Sequence, residues 1–115
     1  MTTQDDDIRQ ALEELRREYL EELPTLLHEL SASVAAAKES IEPEHLRVAI
    51  SKAHALRGTS GSYRFREISE SAGIVEDALL GVQAGWLPRE QAWPAIDEAL
   101  AAGSEALATP SKMSL

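Results

Sequence analysis

Between Ile8 and Ile41 the apolar residues recur at steps of three and four: Ile8, Leu12, Leu15, Tyr19, Leu23, Leu27, Leu30, Val34, Ala37 and Ile41. That period lays a single stripe along a helix, whereas a half-buried strand alternates in twos. A helix with one apolar stripe gains most of its stability by burying that stripe against neighbours, so the pattern commits the chain to packed helices. Asp5, Asp6 and Asp7 can cap and charge the helix start. Pro24 interrupts the stripe without shifting its phase. Proline removes one backbone hydrogen bond and presses on the carbonyl four residues back, here that of Leu20. The segment is therefore expected as a kinked helix, or as two helices meeting end to end.

Three more amphipathic segments follow. Pro43 suits the first turn of a helix running to about Ser62, with Leu46, Ala49, Ile50, Ala53, Leu56 and Ser60 on one side. Gly58 and Gly61 lie inside it, each costing up to about 1 kcal/mol against alanine. Tyr63 to Phe65 reads as a turn. Ile68, Ala72, Val75, Leu79 and Val82 face inward from the next helix, which Gly81 and Gly85 are expected to end. Leu87 and Pro88 open a last helix with Trp93, Ile96, Leu100 and Leu107 inside, and Pro94 obscures its start. The expected fold is all-α: an antiparallel four-helix bundle with an additional N-terminal helical segment. It should occupy residues 8–108, between a flexible N-terminus at 1–7 and a flexible tail at 109–115.

Composition narrows the function classes. At 115 residues the chain holds one domain, with no room for a nucleotide-binding catalytic domain beside the bundle. There is no cysteine for a disulfide or thiolate site. No apolar run is long enough to span a bilayer, and the acidic start is unlike a signal peptide. The chain reads as a soluble cytoplasmic protein, and its starting methionine and aperiodic end favour a free-standing one. A net charge of -9 opposes binding to nucleic acid or to an anionic membrane surface. The charge is uneven, however. From His45 to Arg66 there is no Asp or Glu, while Arg47, Lys52, Arg57, Arg64 and Arg66 occur. That stretch is either chance clustering on a solvated face or a basic docking patch.

On a projection of the helix from Pro43 to Ser62, His54 lies about 120° from the centre of the apolar side, which places it in solvent. Arg57, Gly58 and Gly61 follow three, four and seven residues later on the same face, and Arg47 precedes it by seven. One strip thus presents an imidazole, two guanidinium groups and two positions without side chains. Neutral imidazole is a nucleophile near neutral pH. A neighbouring cation steers and stabilises phosphoryl oxygens. Glycine one turn on leaves space for another protein to reach the ring, which accounts for two residues that otherwise weaken the helix.

The run His54-Ala55-Leu56-Arg57-Gly58-Thr59-Ser60-Gly61-Ser62-Tyr63 resembles the H-x-L-K-G-x-S/A motif of histidine phosphotransfer (HPt) domains. Leu20 to Pro24 upstream and Val75-Glu76-Asp77 downstream also look like this family, and the resemblance covers roughly Ile8 to Leu107. It implies a four-helix bundle with a phosphate-carrying histidine on an exposed face. Such domains accept phosphate from a receiver aspartate or a histidine kinase and pass it to a receiver aspartate. The resemblance makes His54 the carrier and puts Arg57 in the place of the usual lysine. Gly58 becomes the clearance residue, and Arg47, Ser51, Gly61 and Arg64 are expected to contribute to docking. The partners are a response-regulator receiver and a histidine or hybrid kinase. The chain itself needs no cofactor and has no kinase or ATP site; the receiver supplies Mg²⁺. Two departures stand out: arginine for lysine at Arg57, which changes shape and reach, and Arg64 where many members have glycine.

Other chemistries fit poorly. His45 lies nine residues before His54, nearly opposite on the helix, and His28 has no ligand partner at suitable spacing, so no metal site is expected. Ser60 projects toward the core and no Gly-x-Ser-x-Gly elbow occurs, which argues against a hydrolase. The run from Gly58 to Ser62 lacks the spacing and lysine of a nucleotide loop. Two readings remain: an active phosphorelay carrier, and a non-catalytic helical module that binds receivers or kinases without carrying phosphate. Monomer is the expected state, on the premise that every stripe has an internal partner.

Overall fold

The computed structural model describes residues 3–109. Its four helices are α1 (Thr3–Glu39), α2 (Pro43–Ser62), α3 (Arg66–Ala84) and α4 (Arg89–Ala108), with no strand among the described residues. The connections are short, so successive helices double back and pack on one another: α1 on α2, α2 on α3, α3 on α4, with α4 closing against α1. Pairs across α1 and α2 show the antiparallel sense. Tyr19 bonds Ser60, and ten residues further along α1, Glu29 faces Lys52 lower in α2. The expected four-helix bundle is what forms.

Of the two arrangements expected at Pro24, a pair of helices meeting end to end does not form. α1 is one helix of 37 residues, and Pro24 sits on its exposed side, away from the packing. The additional N-terminal helical segment is continuous with α1 and not a separate helix. The helix already runs from Thr3, so residues 3–7, expected as a flexible N-terminus, are its first turns. Thr109 caps α4, and the rest of the expected tail lies outside the described residues. At about 1.5 Å per residue α1 accounts for the whole 55 Å long axis, while α2, α3 and α4 reach little more than half as far. Its N-terminal turns therefore overhang the turn between α2 and α3. Burial of the stripe begins only at Tyr19; Ile8, Leu12 and Leu15 are about half exposed. The premise that every stripe has an internal partner fails for these three, because periodicity records helical phase and not the presence of a neighbour.

The core is built from Leu23, Leu27, Leu30 and Val34 of α1, Ala49, Ala53 and Leu56 of α2, Ile68, Val75 and Leu79 of α3, and Ile96 of α4. In α4 the innermost line is Ala92, Ile96, Ala99, Gly103 and Ala106. Trp93, Leu100 and Leu107, expected inside, pack only partly buried at its edges. Small residues let α4 come close, so size misleads about which side faces in. α4 starts at Arg89 and passes through Pro94.

Gly85 ends α3 as expected, with φ of 84°. Gly81 does not: it is buried inside α3, where a Cβ would meet Leu87 Cβ at 2.9 Å and the Trp86 ring at 3.0 Å. Its role is to let the turn fold back on the helix. At the other end of the bundle, the Arg16 guanidinium lies 4.0 Å from the centre of the Phe65 ring and its Nε donates to the Tyr63 carbonyl at 2.9 Å. Arg16 thus ties α1 to the turn that follows α2.

Candidate functional site

α2 fixes where His54 points. Ala53 and Leu56 are buried on either side of it in sequence, which turns the intervening imidazole outward. The His54 side chain is 76% exposed, as the projection requires. Facing it from α3 is a group that the sequence reading did not assign. The Glu76 carboxylate is only 9% exposed, and its Oε2 lies 2.6 Å from Nδ1 of His54. Its Oε1 accepts a hydrogen bond from Nη1 of Arg57 at 3.1 Å. The same Arg57 nitrogen lies 3.6 Å from Asp77 Oδ1.

This bridge fixes the chemistry of the ring. A carboxylate can only accept hydrogen bonds, so Nδ1 carries the proton that it donates to Glu76. In the neutral imidazole, Nε2 then keeps its lone pair. The result is an exposed nucleophilic nitrogen on a ring held from behind by a nearly buried anion. The anion is itself tolerable there because both of its oxygens are partnered by groups that carry or can acquire positive charge.

Glu76 was visible in the sequence only indirectly. It falls four residues after Ala72 and three before Leu79, inside the inward arc of α3. A charged residue in an apolar arc needs a partner. That is the signal the sequence offers, beside the family likeness of the run Val75-Glu76-Asp77.

The other expected site residues divide into groups. Gly58 meets nothing: a Cβ there would have no atom within 4 Å, so nothing inside the protein requires glycine. Gly61 has an internal reason, since its Cβ would come within 3.2 Å of Ser69 Oγ, which donates to the Arg57 carbonyl across the α2–α3 contact. Ser51 is exposed on the same helix. Arg64 is the only non-glycine residue with positive φ, 65°, among the described residues. The turn thus keeps the left-handed backbone that glycine would favour, and arginine occupies it.

The acid-free stretch does not fold into a bare basic patch. Arg47 pairs with Glu44, Lys52 approaches Glu29 at 3.9 Å, Arg66 pairs with Glu70 at 2.9 Å, and Arg57 is held by Glu76. Arg64 is exposed and, among the described residues, has no carboxylate partner. Ser60 is fully buried and hydrogen-bonded to Tyr19 at 2.9 Å, so it does not pair with His54. No group of residues suited to holding a metal occurs among the described residues, and no helix there is long and apolar enough to cross a membrane.

The described residues thus form a helical bundle that exposes a histidine backed by a carboxylate. The Hpt domain family matches residues 14–108, most of the chain, and the protein belongs to that family. Hpt domains act in phosphotransfer within two-component signalling, where they interact with kinases and receivers. No curated protein and no solved structure matched the chain. The match leaves the first turns of α1, Thr3 to Glu13, outside it.

Proposed function

We propose that this protein is a phosphorelay carrier, with Nε2 of His54 as the atom that is phosphorylated. The observation that carries the reading is the 2.6 Å contact between Nδ1 of an exposed His54 and the nearly buried Glu76. In the charging step Nε2 attacks the phosphorus of a receiver's aspartyl phosphate. The P–N bond forms as the P–O bond to the aspartate breaks, and the aspartate leaves as a carboxylate. The ring keeps its Nδ1 proton and becomes a phospho-imidazolium. Its positive charge develops against Glu76, whose preorganised anion favours the transition state. Discharge to a second receiver reverses these events. A histidine kinase is the alternative donor.

The partner supplies what the chain does not: a receiver holds the Mg²⁺ that neutralises the phosphoryl oxygens, and its active site approaches across the open space at Gly58. Arg47, Ser51 and Arg64 flank that approach. Because the kinase that charges such a relay draws on ATP, we assign the relay to the cytoplasm.

The test is phosphoryl acquisition. Purified protein mixed with a phosphorylated receiver should gain acid-labile, base-stable phosphate, and a His54→Gln variant should gain none. Equal labelling of the two proteins would sink the proposal. A wild-type protein that binds receivers but never labels would establish the non-catalytic module instead.

A further inference from the structure

Gly73 stands in the middle of α3, buried, with no turn nearby and no positive φ to explain it. Glycine there costs up to about 1 kcal/mol against alanine. The three atoms nearest to a Cβ at this position all belong to one side chain: Arg57 Nε at 3.2 Å, Cδ at 3.4 Å and Cζ at 3.4 Å. Buried Gly103 is different, since it makes room for Ser71 and Leu27 where helices pack. At Gly73 the missing side chain makes room for a guanidinium.

Glu76 and Asp77 lie three and four residues after Gly73, one helical turn on and on the same side. Arg57 crosses from α2, lies over Gly73, and ends with Nη1 at 3.1 Å from Glu76 Oε1 and 3.6 Å from Asp77 Oδ1. Its contact occupies one carboxylate oxygen and so turns the other toward His54. A planar, rigid guanidinium needs that flat seat, whereas a lysine carries a compact ammonium on a slimmer stem. The arginine that departs from the motif and the glycine opposite it form a matched pair.

We propose that Gly73 is a positioning residue for His54: it seats Arg57 on α3 so that Arg57 holds the Glu76 carboxylate against Nδ1. The catalytic consequence rests on His54 being the phosphate carrier, but the seat itself does not. Gly73→Ala intrudes by a few tenths of an ångström, and Gly73→Val fills the seat. Both replacements are better helix formers than glycine, so neither should impair function through helix propensity.

The experiment measures the His54 ring-nitrogen shifts by ¹⁵N NMR at a pH where the imidazole is neutral. Wild type should show mainly the Nδ1–H tautomer. Gly73→Val should move the ratio of Nδ1–H to Nε2–H about tenfold toward Nε2–H, the low end for losing one hydrogen bond to a charged partner. Gly73→Ala should give a smaller shift in the same direction. Adding Arg57→Lys to Gly73→Val should restore the wild-type ratio, and Gly58→Ala, which meets open space, should leave it unchanged. Helicity by circular dichroism verifies that each variant is folded; if Gly73→Val fails to fold, Gly73→Ala and its Arg57→Lys double variant decide. Unshifted ratios in the folded Gly73 variants, or failure of Arg57→Lys to restore them, would overturn the seat. Among the Gly73 variants, rates of phosphoryl acquisition from a phosphorylated receiver should follow the tautomer ratio. If wild type never labels while the tautomer shifts and its rescue are seen, the carrier reading fails and the seat stands.

Discussion

Glu76→Gln changes one atom of the bridge and should reverse the state of the ring. The side chain keeps its length and position, but its two ends are no longer alike: one oxygen accepts and one NH₂ donates. Arg57 can only donate, so the amide oxygen faces Nη1, where Oε1 now sits at 3.1 Å. The NH₂ then takes the place of Oε2, 2.6 Å from Nδ1 in the native site. A donor there requires Nδ1 to accept, which moves the proton to Nε2 and removes the lone pair that attacks phosphorus. A hydrogen bond between a neutral and a charged group contributes about 1.5–3 kcal/mol. With His54 76% exposed and Arg57 49% exposed, water competes for both, so the lower end applies. About 1.4 kcal/mol corresponds to about a tenfold loss in rate. Single-turnover transfer from a phosphorylated receiver, followed by rapid quench, measures it directly. Glu76→Ala should be impaired less than Glu76→Gln, because water can replace the missing acceptor but the amide actively selects the wrong tautomer. Equal rates for Glu76→Gln and wild type, or a larger loss in Glu76→Ala than in Glu76→Gln with both folded, would refute this reasoning.

Other expectations separate access, backbone and core. Gly58→Leu should stabilise the protein by up to about 1 kcal/mol through helix propensity, yet raise the receiver concentration that phosphotransfer requires by filling the approach to His54; an unchanged concentration dependence would remove Gly58 from the docking face. Arg64→Gly should raise the urea midpoint by an amount equivalent to about 0.5–1 kcal/mol, since relief of left-handed strain exceeds the added entropy of the unfolded glycine; a lower midpoint would mean that the arginine side chain holds the turn. Burial raises the pKa of Tyr19, opposed by its bond to Ser60 and reinforced by the nearby charges of Glu22 and Tyr63. Its contribution is therefore complete below the unfolded value of about 10 and is lost as pH rises through the higher folded value. Tyr19→Phe should abolish that alkaline step in denaturation curves, and at neutral pH it should cost about 1–2 kcal/mol by leaving the Ser60 hydroxyl unpartnered. Leu12→Glu should change stability by no more than about 0.5 kcal/mol, because the overhang covers nothing, whereas Leu23→Ala in the core should cost about 3 kcal/mol.

Helical phase was legible in the sequence because it is local: spacing alone placed α2 and turned His54 outward. Extent and closeness were not, because they depend on neighbours. Ile8, Leu12 and Leu15 carry the same period as Leu23 and Leu27, but the bundle ends before reaching them. Trp93 was expected inside with Ile96, while the helix packs through Ile96 and a line of alanines and a glycine that leaves Trp93 at the edge. The same distinction governs charge. The stretch from His45 to Arg66 lacks acids along the chain, but folding brings Glu29, Glu70, Glu76 and Asp77 to it from residues outside that stretch. A run of like charge in sequence thus becomes a set of pairs in space, and Arg57, expected to reach for phosphate, is already engaged from behind.

That engagement divides the site between two helices. On the proposed reading, α2 supplies the histidine and, at Gly58, the clearance for a partner, while α3 supplies Glu76 and the Gly73 seat that together set which nitrogen is nucleophilic. Neither requirement constrains the other, because the open space at Gly58 contains no atom that α3 positions. Partner choice can therefore change through residues around the α2 face while the ring keeps its tautomer, and the intrinsic reactivity of the ring can change through α3 while docking stays intact. Rates should resolve the two. A substitution on the α2 face should act on the concentration dependence of transfer, and one at the α3 bridge on the rate at saturating receiver. If Gly58 and Glu76 variants instead shifted both quantities alike, docking and chemistry would be a single event, and the bridge would have to respond to the partner's arrival.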